Sequence, residues 1–187
     1  QGRVVVVSKG SIFIQAVPIG SILLETMVDR IKQQVEGVKS AIPMLVIIDI
    51  SGASTFSPLN ITIGIPEGNW SVLVGSTPLK SGGRWPQSTN LENIEVFIGG
   101  YLADQNGLQV DSKIKIKNRE LTVVGILDSR SAFLSRAIIM PLKVSQELYR
   151  YPNMINLIVV EPEEGVSGND LNNRLESEFP SIKALSE

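Results

Sequence analysis

The chain has 187 residues, of which 19% are charged, with a formal net charge of −2 and neither histidine nor cysteine. Without cysteine there is no disulfide, zinc–thiolate centre or thiol nucleophile, and without histidine a Ser-His-Asp relay is impossible on this chain alone. No basic stripe or arginine-rich tract is present, which argues against nucleic acid. The longest apolar runs, residues 44–48 and 137–142, fall far short of the ~20 residues that cross a bilayer.

The length suits one large domain or two small ones, with a core that buries about 70% of the unfolded surface. No signal peptide opens the chain, which begins in strand-like sequence at Val4. This reads as a segment of a larger protein.

Residues 4–7 are four valines in a row, a buried strand. Residues 11–20 are apolar but broken by Pro18 and Gly20. Ser21 is placed to cap a helix in which Leu24, Met27, Val28, Ile31 and Val35 share one face. Glu25, Asp29, Lys32, Gln33 and Glu36 form its wet face, and Gly37 ends it. Residues 38–41 and 44–50 read as extended chain with Pro43 between them.

The end of the chain repeats this plan. Residues 155–160 predict a buried strand. Ser167 caps a helix with Asp170 at its third position, Leu171, Leu175 and Phe179 form the apolar stripe, and Pro180 ends it. Residues 182–185 begin a strand. Gln33 to Ala41 and Ser177 to Leu185 have the same layout: a helix end, a breaker, then an apolar-Lys-small strand start. Two strand-helix-strand units at opposite ends of a chain close into one sheet with two helices on one face, the split βαβ arrangement, with right-handed crossovers. The expected fold class is therefore α+β. Residues 1–53 and 152–187 form one lobe, and residues 54–151 are an inserted, mostly β second lobe.

Within the insertion, residues 76–90 are polar and carry Pro78, Gly82, Gly83 and Pro86, which predicts a loop. Residues 97–106 predict a short helix, with Phe97, Leu102 and Leu108 supplying apolar contacts and Gly107 a left-handed stop. Lys113-Ile114-Lys115-Ile116-Lys117 alternates strictly, a half-buried strand with a wet side. Asn118-Arg119 turns the chain. Residues 121–127 return as a strand apolar on both faces, central in its sheet. An irregular loop, residues 129–136, precedes a last strand at 137–140 that stops at Pro141.

A family comes into view in this stretch. Ile98-Gly99-Gly100-Tyr101-Leu102-Ala103, Gly107-Leu108, Leu121-Thr122-Val123-Val124-Gly125-Ile126-Leu127 and Ile139-Met140-Pro141-Leu142 carry the pattern in order and spacing. So do Ile63-Gly64-Ile65-Pro66 and residues 79–84. Together they resemble the extracytoplasmic core domain of MacB-like ABC transporter permeases, a group that includes FtsX-like and lipoprotein-releasing permeases. The resemblance covers most of the chain. One departure stands before the alternating strand: Val110-Asp111-Ser112 replaces a Val-Gly-Asp turn, and Asp tolerates turn geometry.

The resemblance implies a porter-like lobe from both chain ends and a sabre-like lobe from the middle. It implies membrane helices before residue 1 and after residue 187, and a location on the extracytoplasmic face of the plasma (inner) membrane. A cognate cytoplasmic ATPase would hydrolyse ATP. The domain would relay membrane-helix motion rather than do chemistry, to a sister permease domain or an extracytoplasmic accessory protein. The alternative is a ligand-binding module for a lipid, peptide or sugar, with residues 12–23 and the two tryptophans lining a cleft between lobes.

The chemical motifs are weak. Ser81-Gly82-Gly83-Arg84-Trp85 lacks the second spaced glycine and the Gly-Lys-Ser/Thr ending of a phosphate loop. Ile98-Gly99-Gly100 lacks the third glycine of a dinucleotide fingerprint. Glu161-Pro162-Glu163-Glu164 lacks the alternating ligands of a calcium loop and reads as solvated chain. Asp49 and Asp128 are the only appealing carboxylate pair, though strand-end aspartates more often cap turns. Asn60-Ile61-Thr62 and Asn69-Trp70-Ser71 fit the glycosylation sequon. No catalytic, cofactor or metal residue is assigned and the protein is not expected to be an enzyme. Trp70 and Trp85 suit an interface or a plug in a small lobe equally well. The expected partner contacts are Arg84 and Trp85 in the first loop of the second lobe, and Arg130, Phe133, Leu134 and Arg136 in the second.

Overall fold

The computed structural model describes residues 2–49, 60–87 and 90–186. In chain order the elements are β1 (Val4–Ser8), β2 (Ile12–Ile14), β3 (Val17–Ile19), β4 (Leu23–Leu24), α1 (Met27–Gln34), β5 (Val38–Asp49), β6 (Asn60–Ile65), α2 (Trp70–Val74), β7 (Ile94–Gly99) and α3 (Gly100–Gln105). There follow β8 (Lys113–Ile116), β9 (Arg119–Leu127), a 3-10 turn (Leu134–Arg136), β10 (Ala137–Pro141), α4 (Leu142–Leu148), β11 (Met154–Ile155), β12 (Leu157–Pro162), α5 (Gly168–Glu178) and β13 (Ile182–Ser186). These elements fall into two units, Gln1–Leu45 with Asn153–Glu187, and Val46–Pro152. The sequence-based boundary at residues 53 and 54 lies outside the described residues.

In the first unit the strand order is β13-β1-β12-β5 and every neighbouring pair is antiparallel. The strands flanking α1, β1 and β5, therefore run parallel with β12 between them. The strands flanking α5, β12 and β13, run parallel with β1 between them. This is the split βαβ pair that the sequence predicts, and the α+β class holds. Val4, Val6, Val7, Ile31, Val160, Leu171 and Leu175 are fully buried at its centre. The Arg30 guanidinium lies 5.0 Å from the ring centre of Phe179, which brings α1 beside the end of α5. The Ser167 hydroxyl accepts from the Asp170 amide at 3.1 Å and closes the first turn of α5.

Three local expectations fail in this unit. Ser21 does not cap α1. Its hydroxyl donates to the Asn156 carbonyl at 2.6 Å and accepts from the Ser8 amide at 3.0 Å. Leu24 is not on the helix either. It pairs with Met154 in the β4–β11 ladder and is exposed, so α1 starts only at Met27. A ladder with distant chain outcompetes the local helical period here. Pro43 does not divide its segment: β5 runs unbroken through it, with Pro43 opposite Ile158.

The broken apolar stretch after β1 is a hairpin, β2–β3, in register Ile12–Ile19 and Ile14–Val17. Gln15 and Ala16 both take positive φ, 49° and 68°, as a two-residue turn between right-twisted strands requires.

The second unit has the order β6-β10-β7-β9-β8. β6 and β10 are parallel, as are β7 and β9, and the remaining pairs are antiparallel. Ile98, Ile116, Leu121, Val123, Ile138 and Val144 sit fully buried in one cluster. In β8 the isoleucines are buried and the lysines exposed, as the alternation predicts. Gly107 has φ +62° and stops α3 as expected.

Residues 97–99 are strand rather than helix. Phe97 and Ile98 pair with both β9 and β10 and are fully buried, so α3 begins at Gly100. The β8–β9 turn falls on Lys117 and Asn118, φ 53° and 62°, one residue earlier than expected, because Ile116 and Arg119 are already register partners. Asp111, which stands where the resembled family carries glycine, takes φ +75°. Its amide donates to the Val123 carbonyl at 2.7 Å, and the Val123 amide returns a bond to the Ser112 carbonyl at 2.9 Å.

Candidate functional site

The polar loop at residues 76–90, outside whose description fall residues 88 and 89, is pinned to β9. The amides of Lys80 and Arg84 donate to the carbonyls of Ile126 and Val124, and the Asp128 amide donates to the Pro78 carbonyl. Gly125 makes room for it, since a Cβ there would press on the Arg84 carbonyl and the Leu79 side chain.

The two residues expected to meet a partner in this loop turn toward their own unit. Arg84 holds Glu95 through both carboxylate oxygens, with one Nη1–Oε1 contact at 2.9 Å and the second from Nη2 to Oε2. The Gln87 amide adds a bond to Oε1 at 2.8 Å. The hydrogen bond to Glu95 raises the Arg84 pKa, so the guanidinium stays charged. Trp85 is half-buried. Its ring stacks on Trp70 at 6.3 Å and 13°, and both meet the edge or face of Phe97 near 90°, at 5.0 and 5.3 Å. The two tryptophans thus plug this unit around Phe97.

In the second loop Arg130 and Arg136 are exposed, while Phe133 and Leu134 are half-buried. The Ser131 hydroxyl accepts from the Leu134 amide at 3.3 Å, and the Ser135 amide donates to the Ser131 carbonyl at 2.9 Å. The turn rests on Gly99, where any Cβ would collide with the Leu134 and Ser135 backbone. The Arg136 guanidinium stacks over the Tyr101 ring at 4.1 Å. From the other loop, Lys80 Nζ lies 3.9 Å from an Asp104 carboxylate oxygen. α3 therefore lies between the two loops and touches both. Tyr101, 43% exposed, is the aromatic residue this surface presents, and sequence reasoning did not single it out as a contact. Its signal was an exposed Tyr directly after the Gly99-Gly100 pair.

Asp49 is 4% exposed and accepts a bond from the Tyr149 hydroxyl at 3.3 Å. The same hydroxyl shares a 2.9 Å bond with Thr62, whose neighbour in the network is Asn60. Burial pushes the Tyr149 phenol well above its ordinary range; the Asp49 charge acts the same way and the Thr62 bond opposes it. Asp128 is exposed just beyond β9, whereas Asp49 sits beside β6. With β6, β10 and β7 between them, at about 4.8 Å per strand spacing, the two carboxyls lie on the order of 20 Å apart. They cannot flank one bond, for which carboxylate pairs stand within about 10 Å.

Asn60 is 3% exposed inside β6, and Asn69 is half-buried before α2. Glu161 faces Arg3 at 4.0 Å, and Glu163 and Glu164 point to solvent. Among the described residues no group of acidic side chains is placed to hold a metal ion, and no helix is long and apolar enough to cross a membrane.

A split-βαβ unit built from both ends of a chain, with a mostly β unit inserted, is a fold that recurs among solved structures. The periplasmic region of MacB from Actinobacillus actinomycetemcomitans matches with TM-score 0.65 at 14% identity, over 98% of this chain and 87% of that one. The extracellular domain of the noncanonic ABC-type transporter YknZ from Gram-positive bacteria matches with TM-score 0.66 at 12% identity, over 98% and 99%. A domain of a putative permease protein from Porphyromonas gingivalis gives 0.55 at 15%, over 99% and 89%. No curated protein matches the chain by sequence.

The model of the MacB-like periplasmic core domain matches residues 1–178, and the chain belongs to that family. The resemblance drawn from the sequence is thereby borne out. The chain is a periplasmic or extracellular domain of an ABC transporter permease, a membrane protein that works with an ATPase.

Proposed function

We propose that this domain is a non-enzymatic mechanical coupler, which converts ATP-driven movement of membrane helices into motion of an outer surface. The observation that carries the reading is the pairing of β1 with β13, in which Val4 and Ser186 are register partners. Both tethers would then reach the first unit at one end of one strand pair. Helices pulling there would move the unit as a body, and stiff β elements pass on a hinge motion without absorbing it. In this reading the first unit is the porter-like lobe and the second the sabre-like lobe. ATP is hydrolysed by a cytoplasmic ATPase, and this chain contributes no chemistry.

The outer contact is assigned to the surface around α3, where Arg130, Arg136 and Tyr101 are exposed. Half-buried Phe133 and Leu134 set the loop's shape behind them. Arg84 and Trp85 support the neighbouring loop through Glu95 and through Trp70 and Phe97. The partner is an extracytoplasmic accessory protein or a sister permease domain. Tyr and Arg are the residue types that dominate interface energetics. The test is the intact transporter with Tyr101→Ala, Arg130→Ala and Arg136→Ala combined. Transport or partner capture should fall while ATPase activity and the melting of the isolated domain stay near wild type. Normal transport by this variant would remove the contact assignment.

A further inference from the structure

A cavity of about 290 Å³ opens in the second unit where the β8–β9 turn meets the end of α4. Its volume is at the small end of ligand sites, which run from roughly 300 to 1,000 Å³. Three cations line it, Lys117 and Arg119 from the turn and Arg150 from the end of α4, and Glu147 is the one acid among the lining residues. Among the described residues none of these four side chains takes part in an ion pair. Like charges around one hollow repel each other, and a hollow with low-dielectric walls concentrates the field they make.

One wall of the cavity is fixed. The Tyr149 hydroxyl is bonded to Thr62 at 2.9 Å and to Asp49 at 3.3 Å, which holds the ring in place beside buried Leu148. Lys117 Nζ lies 5.5 Å from the centre of that ring, a cation–π contact that directs a flexible side chain. The backbone points the same way. Lys117 takes φ 53° at the first centre of a two-residue turn, a place that suits Asn, Asp or Gly. Arg150 takes φ 59° at the close of α4, where the Tyr151 amide donates to the Gln146 carbonyl at 2.8 Å and the Arg150 amide to the Glu147 carbonyl at 3.3 Å. That is the helix stop at which glycine is commonest. Both positions therefore hold a long cation against the local backbone preference.

We infer that this cavity binds the phosphate monoester of a small organic molecule, with the phosphate among Lys117, Arg119 and Arg150 and the organic body against Tyr149 and Leu148. Three features select this chemistry. Guanidinium forks match phosphate oxygens two at a time, and a lysine adds a point charge. Three cations less one carboxylate leave two positive charges, which a monoester of about −1.5 to −2 matches. The wall of Tyr149 and Leu148 suits an organic body, which inorganic phosphate lacks. The site lies wholly within the second unit, and its assignment does not rest on the coupling role proposed above. Free esters and phosphatidic acid carry the same monoester, and the test separates these two sources.

The test is isothermal titration calorimetry of the 187-residue chain with phenyl phosphate. One molecule should bind per chain, more tightly than inorganic phosphate, and binding should weaken as salt rises. Lys117→Asn and Arg150→Gly remove charge and suit the positive φ at their positions, so both variants should fold and melt at or above the wild-type temperature. Each should weaken binding by about tenfold, the scale of one charge-assisted hydrogen bond, and Arg119→Gln should do the same. Glu147→Gln should tighten binding several-fold, because it removes the one opposing charge, a sign that a merely structural residue would not give. Flotation with vesicles containing phosphatidic acid distinguishes the sources. Flotation that the same variants abolish assigns the monoester to a lipid headgroup, and phenyl phosphate binding without flotation assigns it to a free ester. A wild type that binds neither overturns the proposal. So does affinity unchanged in Lys117→Asn and Arg150→Gly, or weakened in Glu147→Gln. Binding of polyglutamate in place of phenyl phosphate would overturn it too, and would assign the cations to an acidic protein segment.

Discussion

Arg84 grips the Glu95 carboxylate at two points, and only one partner of the pair is buried: the side chains are 48% and 9% exposed. The arginine end is screened by water, but its removal withdraws a bidentate partner from a carboxylate inside β7. Arg84→Ala should therefore lower stability by about 1–2 kcal/mol, below the cost of breaking a fully buried pair. Arg84→Lys should lose part of this, because an ammonium cannot present the planar fork. Urea denaturation of Arg84→Ala, Glu95→Gln and the double variant forms a cycle. Strict additivity would show that the two residues do not interact.

Tyr149 predicts a pH dependence. Its folded pKa is raised by burial, above an unfolded value of about 10. The folded state thus holds the phenol proton more tightly than the unfolded chain. Its contribution is fully present below pH ~10 and is lost as pH rises above it. Denaturant midpoints should fall more steeply above that pH in the wild type than in Tyr149→Phe. At neutral pH Tyr149→Phe should cost ~1 kcal/mol from the lost bonds to Thr62 and Asp49. Parallel alkaline profiles would contradict the assignment.

Gly99→Ala should disturb the surface beside α3. Gly99 has φ −68° and ψ 148°, which any residue adopts, so the constraint is space and not backbone strain. A methyl group there meets the backbone of Leu134 and Ser135. The substitution should destabilise by about 1–3 kcal/mol as an overpacked site. It should also speed amide exchange in the turn Leu134–Arg136 while leaving the first unit's exchange unchanged. A cost below about 0.5 kcal/mol, the level of an ordinary surface change, would mean the turn simply moves away.

The β1–β13 pairing can be locked. Register partners in an antiparallel ladder stand about 4.5–5.5 Å apart at Cα, within the range a disulfide spans. Val4→Cys with Ser186→Cys should oxidise readily and raise the melting temperature, with an upper bound near 5 kcal/mol from chain entropy. In the intact permease the locked form should still transport, because a coupler that moves as a body does not separate these strands. Loss of transport that reduction restores would show that β13 must peel from β1 during the cycle.

Much of this was legible locally. The valines of β1, the Lys-Ile alternation of β8, the Leu171-Leu175-Phe179 stripe and the Ser167 cap all read correctly, because each rests on neighbours within one or two turns or pleats. The candidate surface was less legible. Arg84 and Trp85 read as free loop residues because their partners Glu95, Trp70 and Phe97 are supplied by other elements. Tyr101 matters only because the Arg136 loop folds over α3.

By itself the sequence determined the α+β class, the paired strand-helix-strand plan at the two ends, and membership of a permease family. Those properties follow from periodicity, breakers and motif order, which are short-range quantities. Tertiary structure alone decided that β1 lies between β12 and β13, that Leu23–Leu24 leaves a helical pattern to pair with Met154–Ile155, and that Phe97 is strand. Each of those outcomes sets a local preference worth tenths of a kcal/mol per residue against ladder bonds and apolar burial from distant chain. The distant term is the larger, and it exists only once the strands have met.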